Sequence, residues 1–373
     1  MSNETKSQDK VKAKLDFKSM SVEQAMAVLN DKYGANSFTK ASEAPLIRRC
    51  SSGCYAFDFL TGGGFPERRF TELNGKESSF KSTLALSGMA QFMAQYLRQD
   101  PLGIYIDLEK TFERKHARRL GVITDKCWVF DPDNGEEAVD GIVDVLQLEK
   151  PIFAVLDSLA ALRPKKEHEV DMTDNLKIMG LPARLAGHAM ASINGRLKRT
   201  KIDKDFPPIV FVVLNQLREK VGMVFGNPEY TPGGKTKDYY YSMTVRLRRE
   251  SKAKKRTISV NGVTQEVTVE QGVGFNVEKN KAGGPQRGSG EFSFNFETYK
   301  YDNAIQAFQY GLFYDLISKA PMKKKFGFTY GAISSPLAEA DFIAALDEDQ
   351  DTLEELYFAI LDAISPKKKK VEQ

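Results

Sequence analysis

NGKESSFKSTLAL, the stretch from Asn74 to Leu86, has the spacing of a phosphate-binding loop, G-x-x-x-x-G-K-[ST]. Phe80 stands where the second glycine of that pattern is expected. In such a loop, backbone N–H groups and the N-terminus of the next helix bind phosphates, the lysine reaches the β- and γ-phosphates, and the hydroxyl holds Mg²⁺. The stretch therefore predicts a nucleoside triphosphate site, with Lys81 on the phosphates and Ser82 on the metal ion.

Phe80 is compatible with this site, because the backbone N–H and not a side chain would bind phosphate at its position. We expect its peptide to point inwards without a positive φ, and its ring to lie against the protein or the nucleotide. Taken alone, a loop with this departure is equally well explained by a genuine site and by a chance match. The residues predicted to contact the nucleotide are Gly75, Lys76, Glu77, Ser78, Ser79, Phe80, Lys81, Ser82 and Thr83.

Polar residues end three apolar runs that follow the loop, GIYIDLE, PIFAVLD and PIVFVVLNQ. The first run ends in Glu109, which we expect to orient and activate water as a base. The second ends in Asp157, at the position of a Walker B carboxylate that holds Mg²⁺ through water, and the third ends in Gln216. An ordinary strand-end polar residue explains each of them equally well. With the loop, they make four features in the right order, and ligands of open α/β sheets gather at this edge.

Continuous apolar runs suit strands buried on both faces of a parallel sheet, and their alternation with helical patterns indicates an α/β nucleoside-triphosphatase core. From Tyr241 the apolar residues alternate, and VNGV from Val260 to Val263 predicts a hairpin turn. We therefore predict an α/β fold with a mainly parallel central sheet, an antiparallel extension, an N-terminal oligomerisation arm and a small C-terminal domain. The predicted domains are residues 1–45 for the N-terminal helix and subunit-docking arm, 46–300 for the ATPase core with its DNA-binding loops, 301–364 for the small C-terminal domain, and 365–373 for a basic tail.

A short amphipathic helix is predicted near the N-terminus. Ser21 with Gln24 three residues later forms a capping box, apolar residues then follow at helical spacing, and Gly34 ends the helix. The helix either packs locally or belongs to an arm that docks on a neighbouring subunit.

The composition, with 41% hydrophobic and 28% charged residues, is that of a soluble globular protein. No apolar run is long enough to span a bilayer, and the N-terminus lacks the apolar core of a secretory signal, so we expect a cytoplasmic protein without membrane contact. Three cysteines argue against both a disulfide framework and a structural zinc site. The net charge is a modest +4, although the chain contains lysine-rich clusters. Most of these clusters are expected to be solvated.

Two segments are candidates for binding nucleic acid. LREKVGMVFGNPEYTPGGK follows Gln216 and interleaves Arg218 and Lys220 with apolar Val221 and Phe225. Basic groups suit the phosphates of single-stranded nucleic acid, and apolar wedges suit its unstacked bases. The second segment, residues 163–180, has mixed charges, so that a solvated loop explains it nearly as well.

The segment EKNKAGGPQRG places Lys279 and Lys281 at a predicted strand end. These lysines belong either to an exposed basic hairpin or to a pair of cations that reach a phosphate across a subunit boundary, in the manner of arginine fingers. Sequence order leaves both alternatives open.

The motifs above resemble those of the bacterial RecA recombinase family over roughly residues 20–362. YIDLE, AVLDSLAALRPK, MGLPARL, LNQLREKVGMVFGNPE, TPGG and EKNKAGGP occur in the family's order, and VGMVFGNPE is far more specific than a phosphate-binding loop alone. The run SFKS is similar to the loop of the phage UvsX branch, which identifies the chain as a phage-type recombinase. The family has a RecA-like P-loop NTPase core.

The resemblance implies roles for particular residues. Glu109 is the catalytic carboxylate, Gln216 senses the γ-phosphate, and His116 occupies the place of an adenine-stacking tyrosine. The segment from Lys32 to Phe38 is the docking arm. The implied catalytic residues are Glu109, Lys81, Gln216, Lys279 and Lys281, the last two acting on the neighbouring protomer's ATP; the implied metal ligands are Ser82 and Asp157. The implied DNA-binding residues are Met179, Gly180, Arg184, Arg218, Lys220, Val221, Gly222, Phe225, Gly233 and Gly234.

The implied function is ATP-dependent strand exchange in homologous recombination by a helical filament on single-stranded DNA, with ATP and Mg²⁺ as cofactors. Single- and double-stranded DNA, further copies of the chain, and single-strand-binding and mediator proteins would be its partners, in the host cytoplasm if a phage encodes it. The alternatives are a non-hydrolysing filament protein that coats single-stranded DNA, and a ring-forming helicase with the same fold.

Overall fold

The computed structural model describes residues 17–34, 37–43, 46–165, 180–202, 207–219, 229–234, 236–260, 263–322 and 326–365. Its helices are α1 (Val22–Tyr33), α2 (Tyr55–Thr61), α3 (Lys81–Gln95), α4 (Arg114–Arg119), α5 (Gly135–Val145), α6 (Leu181–Ile202), α7 (Asn303–Phe313), α8 (Glu339–Glu348) and α9 (Gln350–Ile364). Its strands are β1 (Arg49–Cys50), β2 (Phe65–Pro66), β3 (Phe70–Gly75), β4 (Leu102–Asp107), β5 (Cys127–Phe130), β6 (Ile152–Asp157), β7 (Ile209–Gln216), β8 (Arg218–Glu219), β9 (Glu229–Tyr230), β10 (Tyr241–Val260), β11 (Val263–Asn280), β12 (Gly288–Asn295), β13 (Lys300–Tyr301), β14 (Ser318–Pro321), β15 (Phe326–Tyr330) and β16 (Ile333–Leu337).

The central sheet has nine strands in the order β13-β12-β11-β10-β3-β7-β6-β4-β5. Strands β3 to β7 and the first part of β10 pair in parallel, and β10 to β13 pair antiparallel. The three apolar runs form β4, β6 and β7, and nearly all of their residues are buried. The predicted α/β fold, with its mainly parallel sheet and antiparallel extension, is confirmed.

Helices cover both faces of the parallel strands. On one face, α3 packs against Leu73, Leu214 and Val245. On the other face, α5 and α6 pack against side chains that include Phe70 and Phe211. Successive strand residues point to opposite faces, so two apolar layers form from the same strands. This arrangement leaves the carboxyl ends of the strands free to carry a site.

The antiparallel extension is a long hairpin. Met243, Val245 and Leu247 of β10 are buried, as their alternation predicts. Val260 pairs with Val263, consistent with the predicted two-residue turn, whose own residues lie outside the described part of the chain. The basic run at the outer end of the hairpin is exposed, and its charges are paired with acidic residues. These ion pairs are Lys252–Glu291, Lys254–Glu270, Lys255–Glu266 and Arg256–Glu297.

Helix α1 has the predicted capping box. Gln24 N donates to Ser21 Oγ at 3.2 Å, Ser21 N donates to Gln24 Oε1 at 3.0 Å, and the helix ends at Gly34. Asn30 then bonds the backbone N–H and carbonyl of Phe38 at 2.7 and 3.0 Å, which folds the following residues back onto the helix. Within the described chain α1 buries none of its side chains.

The C-terminal region combines a three-stranded antiparallel sheet, β14 to β16, with α7, α8 and α9 around its own apolar cluster. Phe59 of α2 joins this cluster, and its ring lies 5.6 Å from that of Tyr357. The domain boundaries at residues 45, 300 and 364 remain predictions, and residues 366–373 of the basic tail lie outside the described ranges. Among the described helices, none combines the length and apolar character that crossing a membrane requires.

Candidate nucleotide-binding site

The phosphate-binding loop joins the end of β3 to the start of α3. A Cβ at Gly75 would lie 2.4 Å from both the Leu247 carbonyl oxygen and Ser79 Oγ, so only glycine fits this position. Phe80, which directly precedes α3, makes no side-chain hydrogen bond that caps the helix. The first N–H groups of α3 are therefore available to an anion, in the orientation that favours phosphate.

Phe80 does not avoid a positive φ, and that part of the prediction is wrong. It has φ 70° and ψ 14°, in the left-handed region, directly before α3. Its ring lies against the protein, with centroids 5.8 Å from those of both Phe294 and Phe296. A left-handed residue costs about 1–2 kcal/mol, and each aromatic pair contributes about 0.5–1.5 kcal/mol, so the contacts offset the strain. The backbone thus keeps the shape that glycine would give.

Lys81 is held beneath the loop. Its Nζ donates to the carbonyls of Gly75 at 3.1 Å and Lys76 at 2.8 Å. Burial lowers the pKa of Lys81, while the nearby carboxylates of Asp157 and Glu109 oppose that shift. The ammonium therefore lies at the phosphate loop, facing the acidic residues predicted to act with it.

Ser82 and Asp157 meet at the predicted metal position. Ser82 Oγ donates to Asp157 Oδ2 at 3.2 Å, and the hydroxyl of Tyr105 donates to the same carboxylate oxygen. Burial raises the pKa of Asp157. No cluster of three or more potential metal-ligating acidic, histidine or cysteine residues occurs in the described ranges. One hydroxyl and one carboxylate fit Mg²⁺ in a nucleotide site, where phosphates and water supply the other ligands.

Glu109 and Gln216 are brought together from different strands. Glu109 lies just beyond β4, and Gln216 Nε2 is 2.9 Å from each of its carboxylate oxygens. The hydroxyl of Ser158, which follows β6, donates to Glu109 Oε1. The predicted convergence at the carboxyl edge is therefore present, while the roles assigned to these residues remain predictions.

His116 lies beside the first turn of α3. Its ring nitrogens lie 3.2 Å from Thr83 Oγ1 and 3.3 Å from the hydroxyl of Tyr299, and Arg119 stacks 3.8 Å above the Tyr299 ring. Burial lowers the pKa of His116. The imidazole is thus held close to the start of α3 by a tyrosine that the sequence pattern did not single out, and its contact with a base remains a prediction.

Lys279 lies on the face of the sheet opposite α3. It lines a cavity with Glu72 and Thr244, whereas α3 packs on the other face against Leu73. Its Nζ donates to the Asp238 carbonyl at 2.6 Å. Lys281 follows β11, and its backbone N–H donates to the Ser242 carbonyl.

The ends of the first candidate nucleic-acid segment form a short two-stranded ladder. Arg218 of β8 pairs with Tyr230 of β9, and Gly233 and Gly234 adopt left-handed conformations just beyond it. Just beyond the second segment, Arg184 lies exposed in the first turn of α6, and its N–H donates to the Gly180 carbonyl. Five of the predicted DNA-binding residues lie outside the described ranges: Met179, Lys220, Val221, Gly222 and Phe225.

Glu229 connects this ladder to the phosphate loop. Its carboxylate lies 3.8 Å from Lys76 Nζ and 2.7 Å from a guanidinium nitrogen of Arg246. Glu229, Ser158 and Tyr105 lie within the family motifs, yet none of them is among the predicted site residues. Ser158 directly follows Asp157 and could have been found by its position, whereas the contacts of Glu229 and Tyr105 depend on strand pairing.

Comparison with known families agrees with this geometry. The family model for the RecA N-terminal domain matches residues 20–293. The chain belongs to the RecA recombinase family. It is 38% identical over 232 residues to Protein RecA of Mesomycoplasma hyopneumoniae strain J, covering 61% of this chain and 65% of that protein. It is 31% identical over 348 residues to Protein RecA of Bacteroides thetaiotaomicron, covering 92% and 96%.

The RecA family match extends from α1 into β12 and includes the described residues of the nucleotide site except Phe294, Phe296 and Tyr299. The match to the Mesomycoplasma protein spans just under two thirds of that relative's length.

Proposed function

We propose that this chain is an ATP-dependent DNA strand-exchange protein of the phage type, which forms a helical filament on single-stranded DNA in the cytoplasm of a bacterial host. The contact between Gln216 and Glu109 carries the proposal. It joins a carboxylate suited to hydrolysis with the strand end from which the candidate DNA segment leaves at Arg218.

ATP binding uses the phosphate-binding loop and the start of α3. The loop N–H groups and Lys81 take the phosphates, and His116 lies where it can contact the base. Ser82 and Asp157 would hold Mg²⁺, which supplies charge neutralisation on the phosphates when it is bound. Tyr105 and Ser82 orient the Asp157 carboxylate by their hydrogen bonds.

Hydrolysis depends on Glu109 as the base. The carboxylate accepts hydrogen bonds from Gln216 and Ser158, which fix its orientation at the strand ends. A positioned carboxylate can orient a water molecule and accept its proton. Gln216 would be drawn towards the γ-phosphate of ATP and released after hydrolysis.

Nucleotide state then controls DNA affinity through the strand end. Gln216 is followed after one residue by β8, so its displacement moves Arg218 and the ladder with β9. Arg184 and Arg218 would contact phosphates, and Val221 and Phe225 would contact bases. Base pairing between the bound strand and duplex DNA supplies sequence selection, and single-strand-binding and mediator proteins would control loading.

Filament assembly uses two apolar surfaces of the same chain. Helix α1 exposes Val22 and Met26, and edge strand β5 exposes Trp128, with 67% of its surface accessible. Beside β5 a groove of about 340 Å³ runs along α5 and is lined almost entirely by apolar side chains, including Leu148. We assign helix α1, which precedes the docking arm, to this groove on the next protomer, because an uncovered helix face and an uncovered strand edge of one chain can cover each other.

Lys279 and Lys281 would complete the nucleotide site of the adjacent protomer. Lys279 lies on the face opposite α3, so it is better placed to reach a neighbouring nucleotide than its own. A filament in which each ATP lies between protomers would make hydrolysis depend on assembly.

The test is phosphate release and strand exchange by the purified full chain, with and without single-stranded DNA. The proposal expects DNA-stimulated release of phosphate, continuous filaments in electron micrographs, and exchange between a circular single strand and linear duplex. DNA binding without stimulated release would favour a non-hydrolysing coating protein. Closed rings with ATP would favour a helicase of the same fold.

A further inference from the structure

A fully buried ion pair lies beneath the two ends of the candidate DNA segment that follows Gln216. The side chains of Lys237 and Glu72 are 1% and 2% exposed, and Lys237 Nζ lies 3.2 Å from Glu72 Oε1. Burying two charges carries a desolvation cost that their attraction repays only with additional hydrogen bonds. Lys237 and Glu72 each make such additional hydrogen bonds, and these bonds involve the two ends of the segment.

The ammonium of Lys237 holds the end of the segment that returns to the core. It donates to Thr231 Oγ1 and to Asp238 Oδ1, both at 2.8 Å. Gly233 packs directly on the lysine stem, because a Cβ at that position would lie 3.0 Å from Lys237 Cδ. The returning backbone is thus fixed against this one side chain.

The carboxylate of Glu72 holds the strand from which the segment leaves. Asn215 Nδ2 donates to Glu72 Oε1 at 3.0 Å and to the Pro232 carbonyl at 3.3 Å. Asn215 directly precedes Gln216, whose amide bonds Glu109. One ion pair therefore connects the start of the segment with its end.

We propose that Lys237 is a positioning residue that transmits nucleotide state to DNA affinity, an inference that rests on the proposed function. The ion pair fixes Thr231 against Asn215 through two short polar contacts. A displacement of Gln216 therefore moves both ends of the segment together, instead of being absorbed by one end.

The same network extends to Lys279, which lines one cavity with Glu72 and Asp238. Asp238 accepts from Lys237 through its carboxylate and from Lys279 through its backbone carbonyl. Lys279 is proposed to contact the neighbouring protomer's ATP. The buried ammonium of Lys237 thus connects Asn215, beside the chain's own nucleotide site, with Lys279, which is proposed to complete the neighbour's site.

The experiment measures the affinity of the full chain for fluorescent oligo-dT with a non-hydrolysable ATP analogue and with ADP. The affinity ratio is the dissociation constant with ADP divided by the dissociation constant with the analogue. Thr231→Val removes one acceptor from Lys237 and leaves the ion pair intact. A double variant, Lys237→Met with Glu72→Gln, removes both charges and leaves no unpaired buried ion. Lys254→Met, in an exposed ion pair of the hairpin, is the matched control.

The double variant is expected to lower the affinity ratio at least about fivefold. Thr231→Val should also lower the ratio, and the control variant Lys254→Met should leave the ratio unchanged. Melting temperatures separate this effect from loss of stability. A wild-type ratio of one would contradict the proposed function itself. A wild-type ratio above one that both variants retain would overturn only the role of Lys237, and if the double variant fails to fold, Thr231→Val decides.

Discussion

The side-chain amide of Gln216 lies 2.9 Å from both carboxylate oxygens of Glu109, although 107 positions separate the two residues in the chain. The contact exists because β4 and β7 end at the same edge of the sheet, with β6 between them. It places the candidate base Glu109 against Gln216, and the candidate DNA segment follows Gln216 directly in the chain. The proposed base and the candidate DNA segment are therefore adjacent in this fold.

Replacing Glu109 with glutamine tests the hydrolytic role. Glu109→Gln keeps the size of the side chain but cannot accept a proton, so phosphate release should fall at least about 100-fold. Binding of a fluorescent ATP analogue and of single-stranded DNA should persist. Glu149→Gln, at an exposed position, is the control. Turnover within about twofold of wild type would remove Glu109 from the catalytic role.

Substitutions of Phe80 test how a non-glycine residue is held in a left-handed conformation. Alanine and glycine both lose the ring contacts with Phe294 and Phe296, worth about 1–3 kcal/mol. Glycine also relieves the backbone strain, so Phe80→Gly should be more stable than Phe80→Ala by about 1 kcal/mol in urea unfolding. Both should still bind ATP. The reverse order of stability would show that the positive φ is not under strain.

The single tryptophan of the chain reports directly on filament assembly. Trp128 is 67% exposed, and docking of a neighbour's helix α1 should bury it and shift its fluorescence to shorter wavelength when ATP and DNA are added. Met26→Ala on α1 should weaken both the shift and light scattering. Phe313→Ala, which removes an exposed ring on α7, should leave them unchanged. Assembly without any change in the tryptophan emission would exclude the β5 groove as the docking surface.

The buried carboxyl of Asp58 predicts a pH dependence of stability. Burial raises its pKa from 3.8 to about 6, although Ser51, Ser52 and Tyr357 donate hydrogen bonds to the carboxylate and oppose the shift. The folded state then binds the proton more tightly than the unfolded state. The stability contributed by this group is present below pH 4 and is lost as pH rises to about 6, by about 3 kcal/mol at most.

Asp58→Asn removes this titration. The free energy of unfolding of wild type minus that of Asp58→Asn should therefore decrease between pH 4 and pH 6.5 in urea unfolding experiments. A difference that is independent of pH, or that increases with pH, would show that Asp58 is not protonated in the folded protein near pH 5.

Much of the nucleotide site could be predicted because its residues occupy fixed places relative to strands. Asp157 and Gln216 end β6 and β7 as expected, and Glu109 follows β4 closely. Apolar runs define the strands, and parallel strands bring their carboxyl ends together. The family resemblance added the roles, which geometry alone does not give.

Other features could not be predicted, because they depend on contacts between distant segments. The positive φ of Phe80 is sustained by rings from the antiparallel extension, more than 200 positions away. Nothing in the sequence distinguishes Lys237 from an exposed lysine, yet its side chain is buried against Glu72 from β3. Neither periodicity nor spacing records such pairings.

The affinity for single-stranded DNA in defined nucleotide states tests the central claim most directly. Fluorescence anisotropy of labelled oligo-dT should show binding at least about tenfold tighter with a non-hydrolysable ATP analogue than with ADP or without nucleotide. Equal affinity in all three conditions would contradict the account, because the contact between Gln216 and Glu109 would then not connect the nucleotide to the DNA segment.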